Sequence, residues 1–148
     1  MAVFSTSAEK EADARRFGAE DFILSTDKKA MTAAALSLDF ILSTVPDSHD
    51  INPYILALKR DGTLVVVGTL ASFAKPTDNS KVAFLRRSVA GSLIGGVAET
   101  QEVLEFCAEH CVQAEVPVIP MSDINEAFKR IAKGEVRYRQ VIDIAGTL

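Results

Sequence analysis

Apolar residues along this chain of 148 fall into short clusters, and the clusters alternate between two spacings. The strongest is Thr63-Leu64-Val65-Val66-Val67, a run dominated by β-branched residues with no polar alternation. A run of that kind has both faces covered, which is the habit of a central strand in a parallel sheet between helices. Asp61-Gly62 ahead of it reads as a turn, and Gly68 behind it allows a sharp exit where a side chain would obstruct. Further strands are expected at residues 2–4, 21–24, 39–43, 88–94, 115–119 (closed by Pro120) and 138–144. Helical spacing lies between them at 8–17, 28–36, 53–58, 80–85, 100–110 and 124–131. Val103, Leu104 and Cys107 are the expected inward positions of the helix at 100–110. Ile124, Ala127, Phe128 and Ile131, at i, i+3, i+4 and i+7, mark the cleanest amphipathic helix, with Gly134 as its stop. Strands alternating with helices predict right-handed crossovers and a parallel sheet.

End signals sharpen these bounds. Thr6 with Glu9, and Asp123 with Glu126, have capping-box spacing. Gly18 suits the left-handed position after a helix. Asn52-Pro53 reads as an N-cap followed by proline at the first helical position. Ser80 is the expected cap of the brief helix after a loop at 69–79.

Composition adds exclusions. A hydrophobic fraction of 48%, 24% charged residues and a net charge of -4 describe an ordinary globular chain, with no electrostatic reason to expect nucleic acid or an anionic membrane. No apolar stretch approaches the ~20 residues of a membrane span, and no charged-then-apolar leader opens the sequence, so the expected compartment is the cytoplasm. Cys107 and Cys111 lie four apart on one helix, a spacing suited neither to a disulfide framework nor to a zinc ribbon. With His110 beside them they offer too few ligands for a tetrahedral zinc, and His49 lies in a polar loop without a nucleophile context. No metal ligands and no catalytic residue are assigned.

Several segments carry a family resemblance in their order along the chain. They are Phe4-Ser5-Thr6-Ser7 before a helix, residues 17–21 (Phe-Gly-Ala-Glu-Asp), Asp39-Phe40-Ile41-Leu42, residues 58–68, residues 91–96 (Gly-Ser-Leu-Ile-Gly-Gly), and residues 123–127 through Arg137-Tyr138-Arg139 to Val141-Ile142-Asp143. Together they resemble the C-terminal half of the zinc-dependent medium-chain alcohol dehydrogenases, most closely the NADP-dependent cinnamyl alcohol dehydrogenase-like group. The resemblance implies an α/β fold: a Rossmann-like parallel sheet with helices on both faces, lacking the first strand and its glycine-rich turn. It also implies a C-terminal strand-helix-strand piece of the catalytic domain. Residues 1–112 would be the incomplete dinucleotide-binding domain and 113–148 the catalytic-domain segment. No Gly-x-Gly-x-x-Gly occurs among the eight glycines, and the family's zinc ligands would lie ahead of Met1.

What the resemblance implies for function is hydride transfer between NADP(H) and an alcohol or aldehyde in the complete enzyme, with the isolated chain inactive. Ser5, Thr6, Ser7 and Lys10 stand where a carboxylate would select NAD. Hydroxyls, helix-terminal amides and a lysine suit a 2′-phosphate instead; the same hydroxyls could merely cap the helix. Thr44, Val45, Val67, Gly68, Ser92, Leu93 and Ile94 resemble cofactor-lining strand ends, and Arg139 resembles a position near the cleft. Zinc is implied for the complete family enzyme. The strand at 88–94, beginning at Ser88, resembles the one that pairs across a homodimer two-fold. Two other readings stay open, a non-enzymatic dimerisation or interaction module and a zinc-free quinone reductase relative.

Overall fold

The computed structural model describes residues 1–68, 71–133, 135–136 and 139–147. It divides into two compact units, Met1–Ile94 and Gly95–Leu148.

The first unit alternates strand and helix: β1 (Ala2–Ser5), α1 (Glu11–Arg16), β2 (Asp21–Leu24), α2 (Lys28–Ala33), β3 (Leu38–Ser43), α3 (Asn52–Ala57), β4 (Leu58–Val66), α4 (Asn79–Ala83) and β5 (Ser88–Gly91). All pairings are parallel, as the alternation predicts. β1 pairs with β2, and β3, β4 and β5 form a second sheet in that order. No ladder joins β1 to β3 among the described residues. The core sits under the second sheet, where Ile41, Ala57, Leu58 and Leu64 are buried with Ala34, and Phe4, Ile23 and Tyr54 pack against them. Phe4 meets Tyr54 edge to face at 5.2 Å. Burying Leu58 and Leu64 contributes roughly 1.5–3 kcal/mol each.

The strand expected at 63–67 begins earlier. β4 runs from Leu58, and the Asp61-Gly62 turn is a bulge inside it: Leu38 faces Leu58 while Phe40 faces Thr63. Asp61 takes a left-handed φ of 62° there, and its N–H donates to Leu85 O at 2.9 Å. Gly62 is buried with backbone on two sides, so the bulge stays tight.

Helix ends depart more from expectation. A 3₁₀ turn at Ala8–Lys10 precedes α1, and neither element has a side-chain cap, so Thr6 and Glu9 form no capping box. α1 stops as expected: Gly18 has φ 93°, with Gly18 N donating to Arg15 O and Ala19 N to Ala14 O at 3.0 Å each. Asn52 does not cap α3. It is the first helical residue, behind Ile51. Its side chain instead spans two loops, donating to Asp50 Oδ1 (2.8 Å) and Pro76 O (3.0 Å) while accepting from Asp78 N (2.8 Å). Asp78, not Ser80, caps α4, accepting from Ser80 N at 3.0 Å and Ser80 Oγ at 2.6 Å. Asp27 caps α2 through Lys29 N. β5 ends at Gly91, so the strand expected over 88–94 is shorter.

The second unit holds α5 (Val97–Glu109), β6 (Val118–Pro120), α6 (Ile124–Ala132) and β7 (Val141–Asp143), with β6 and β7 parallel. β6, α6 and β7 make the expected strand-helix-strand piece, although both strands are shorter than the expected 115–119 and 138–144. Gly134, Arg137 and Tyr138 lie outside the described residues, as does Thr69 at the start of the expected loop. Asp123 precedes α6 without a side-chain cap, its carboxylate accepting from Ser122 Oγ at 2.9 Å, so the second capping box is also absent. Apolar spacing does not mean burial here. Val103 and Leu104, expected inward, are exposed, as are Phe128 and Ile131; Ala127 is buried.

Candidate functional site

The first unit gathers the carboxyl ends of its strands along one rim. Val67 N donates to Ser43 O at 3.0 Å and Ser92 N to Val66 O at 3.1 Å, so the ends of β3, β4 and β5 continue their ladders for one residue. Gly68 then lies directly on the backbone of Thr44, and a Cβ there would occupy the Thr44 carbonyl. This contact is the physical requirement for glycine at the exit of β4.

Ser5 closes β1. Its carbonyl accepts from Ser25 N (2.8 Å) and Ser25 Oγ (3.1 Å), and its hydroxyl contacts the Ser7 N–H and carbonyl at 3.2 Å. Ser25, missed in the sequence, therefore pins the corner from the end of β2. The only signal was its place one residue past an apolar run. Among the described residues, the Thr6 and Ser7 hydroxyls and the Lys10 ammonium make no hydrogen bond or ion pair with the chain. They are free donors at the exposed start of the turn leading into α1. Ser7 precedes the 3₁₀ turn with its side chain uncommitted, so capping does not account for it.

A cavity of about 720 Å³ lies beside Ser5, lined on one side by β1 and Ser5 and on the other by β3, Thr44, Val45 and His49; Thr6, Ser7 and Lys10 are not part of its lining. The structure thus brings together Ser5, Thr44, Val45 and, through Thr44, Gly68 and Val67. Ser92 sits at the far end of the same strand row, followed by Leu93 and Ile94, 80% and 92% exposed. Arg139 is exposed just ahead of β7 in the second unit.

Asp50 fixes the loop beside the rim. Burial raises its pKa, but hydrogen bonds from Lys75 and Asn52 outweigh this and hold it below the ordinary carboxylate value. His49 Nδ1 lies 2.8 Å from the Asp47 carbonyl, which can only accept, so that nitrogen carries the proton. The ring meets Tyr54 and Phe73 edge to face. His110 packs on Phe106 at 4.2 Å. Among the described residues no three His, Cys, Asp or Glu side chains converge on a point where a metal could be held. Zinc therefore does not fit the described residues. The donors at the Ser5 corner fit an anion.

Fold and rim together define a parallel α/β protein whose strand ends lie along one rim. The chain belongs to the zinc-binding dehydrogenase family, whose model matches residues 1–109. It is 42% identical to aldehyde reductase YahK of Escherichia coli over 97% of its length, and 46% identical to a probable cinnamyl alcohol dehydrogenase 9 of rice over its whole length. In each case it spans 41% of the relative. A cinnamyl alcohol dehydrogenase structure from Sorghum bicolor superposes with a TM-score of 0.87 at 39% identity, covering 99% of this chain and 42% of that one. A Helicobacter pylori cinnamyl alcohol dehydrogenase complexed with NADP(H) superposes with a TM-score of 0.81 at 31% identity, with 99% and 42% covered. No helix among the described residues is long and apolar enough to cross a membrane.

Proposed function

We propose that this chain supplies the adenosine side of an NADP(H) site in an alcohol dehydrogenase or aldehyde reductase, and that alone it transfers no hydride. The observation that carries this reading is the Ser5 corner. Two uncommitted hydroxyls and a free ammonium sit at the end of β1, where the doubly wound fold meets the adenosine ribose. A 2′-phosphate would take its hydrogen bonds from Thr6 and Ser7 and its counter-charge from Lys10. Thr44, Val45, Val67, Gly68, Ser92, Leu93 and Ile94 would continue the wall along the strand ends. The two functional parts would be 1–112 and 113–148. The bound cofactor supplies the hydride; these residues hold and orient it. Relatives that are cinnamyl alcohol dehydrogenases and an aldehyde reductase support alcohol or aldehyde substrates over quinones. The outer edge of β5, unpaired among the described residues, would pair with a second copy.

Calorimetric titration with adenosine 2′,5′-bisphosphate and with 5′-AMP tests the corner without requiring turnover. The 2′-phosphate is expected to tighten binding by about tenfold or more, and Lys10→Ala to remove most of that gain. Equal affinities, or tighter binding of 5′-AMP, would reject the assignment.

A further inference from the structure

Asp61-Gly62 is the one Asp-Gly step in the chain, and two left-handed residues meet there. Asp61 has φ 62° inside the β4 bulge, and Arg86, with φ 52°, stands opposite in the turn before β5. That turn grips Asp61 twice. Leu85 O accepts from the Asp61 N–H at 2.9 Å, and Arg86 Nε donates to Asp61 Oδ1 at 2.7 Å. Arg60 Nε lies 3.8 Å from the other carboxylate oxygen. Gly62 is buried, and a Cβ there would lie 3.1 Å from both Asp39 O and Lys59 O. An arginine seldom adopts a left-handed backbone, so the contacts with Asp61 hold Arg86 in it.

An aspartate followed by glycine is open to a reaction of the chain with itself, because glycine has no Cβ to shield its nitrogen. The Gly62 nitrogen attacks Asp61 Cγ. A C–N bond forms, a Cγ–O bond breaks, and the carboxyl OH leaves as water with the amide proton. Water then opens the five-membered imide at either carbonyl. Opening at Cγ restores aspartate. Opening at the Asp61 main-chain carbonyl breaks its bond to Gly62 N and leaves the main chain running through Cγ. The product is isoaspartate, of unchanged composition, and no oxidant or reductant takes part.

We infer that Asp61-Gly62 is a latent isomerisation site and that Arg86 guards it, holding the carboxyl group off the Gly62 nitrogen while the chain is folded. Attack needs the reacting atoms about 3–3.5 Å apart and aligned. Turning the side chain onto the amide breaks the Arg86 bond, and turning the main chain is opposed by the Leu85 bond and by the packing of Gly62. The ion pair is more than half exposed and weak as a source of stability. It acts here by fixing one rotamer of a residue whose backbone is already fenced. The site matters for the fold because Leu38 faces Leu58 while Phe40 faces Thr63, so the added main-chain atom falls inside the register shift between β3 and β4, flanked by the buried Leu58 and Leu64. This chemistry is independent of what the rim binds.

The whole chain is aged at constant pH, folded in buffer and unfolded in guanidinium chloride. Isoaspartate at residue 61 is counted by proteolytic peptide mapping and by methyl transfer from an isoaspartyl methyltransferase. The folded chain is expected to form it about tenfold or more slowly than the unfolded chain, a comparison that needs no variant. Arg86→Gln removes the guanidinium at a position 69% exposed and is expected to raise the rate in the folded chain about threefold or more, with circular dichroism showing that the fold is kept. Lys59→Gln breaks the neighbouring exposed pair with Asp39 and is expected to leave the rate at residue 61 unchanged. Asp47-Ser48, exposed in a loop, reports general reactivity and is expected to react equally in all the folded proteins. Equal rates in the folded and unfolded chain would overturn the inference, as would an unfolded chain that forms no isoaspartate at residue 61. So would an Arg86→Gln rate no higher than that of the unmodified chain, or a Lys59→Gln rate that rises with it.

Discussion

Arg87 donates to the carbonyl of Leu58 through both Nε, at 2.9 Å, and Nη2, at 2.5 Å. Its Nη1 reaches Lys81 O at 2.9 Å. The side chain is buried at 6% exposure, and its hydrogen bonds run to backbone carbonyls rather than to a carboxylate. Burial draws its pKa below the ordinary value, yet a guanidinium keeps its proton. The cation thus binds the junction of α3 and β4 to the turn before β5, and satisfies the buried Leu58 carbonyl.

Removing that cation without replacing its donors leaves the carbonyls bare. Arg87→Met is expected to destabilise the chain by about 2–4 kcal/mol, and Arg87→Lys to recover less than half, because an ammonium cannot reach the Leu58 and Lys81 carbonyls together as a planar fork does. Urea unfolding gives both values. A cost under ~1 kcal/mol for the methionine variant would show that water satisfies these carbonyls.

Gly68 and Gly91 offer a matched pair, one at the exit of β4 and one at the end of β5. A Cβ at Gly68 would collide with the Thr44 backbone, whereas one at Gly91 meets only Val66 O at 3.9 Å. Gly68→Ala is therefore expected to cost about 1–3 kcal/mol and to weaken adenosine-nucleotide binding by pushing β3 and β4 apart at the rim. Gly91→Ala should stay within about 0.5 kcal/mol. Comparable losses in denaturant midpoints for the two variants would refute the close-approach account.

The alternation of elements was legible because it rests on local spacing. The run at 63–67, the stop at Gly18 and the parallel pairing of β3, β4 and β5 follow from residues close in sequence. The caps were less legible because they compete. Asn52 has the chemistry of a cap, but bonds across to Pro76 and Asp78 take its amide. That leaves Asp78 to cap α4 in place of Ser80. The stripe at Val103 and Leu104 shows that a helix has an apolar face, not what lies against it. Arg87 carried no signal, since an arginine ahead of a strand reads as solvated unless the carbonyls it will meet are known. At the candidate site, Ser5 to Lys10 could be picked out by residue type and place.

Asp78 links the rim-side loops to acid. Its carboxylate bonds the Lys81 ammonium and the Ser80 hydroxyl and N–H, and the Lys81 bond is the main reason its pKa falls from 3.8 to about 2. A carboxyl whose folded pKa lies below its unfolded value favours the folded state above the unfolded pKa and loses that contribution as pH falls through the folded one. The window is therefore from 3.8 down to about 2. Its backbone N–H, meanwhile, remains bonded to Asn52 Oδ1, so protonation weakens the α4 cap without freeing the loop. Asp78→Asn keeps a capping oxygen but removes the charge. It is expected to lower the melting temperature at neutral pH and to flatten the fall in stability across that window relative to the unmodified chain. Melting curves collected at stepped pH for both proteins decide it, and parallel profiles through the window would mean that the Asp78–Lys81 pair contributes nothing to folding.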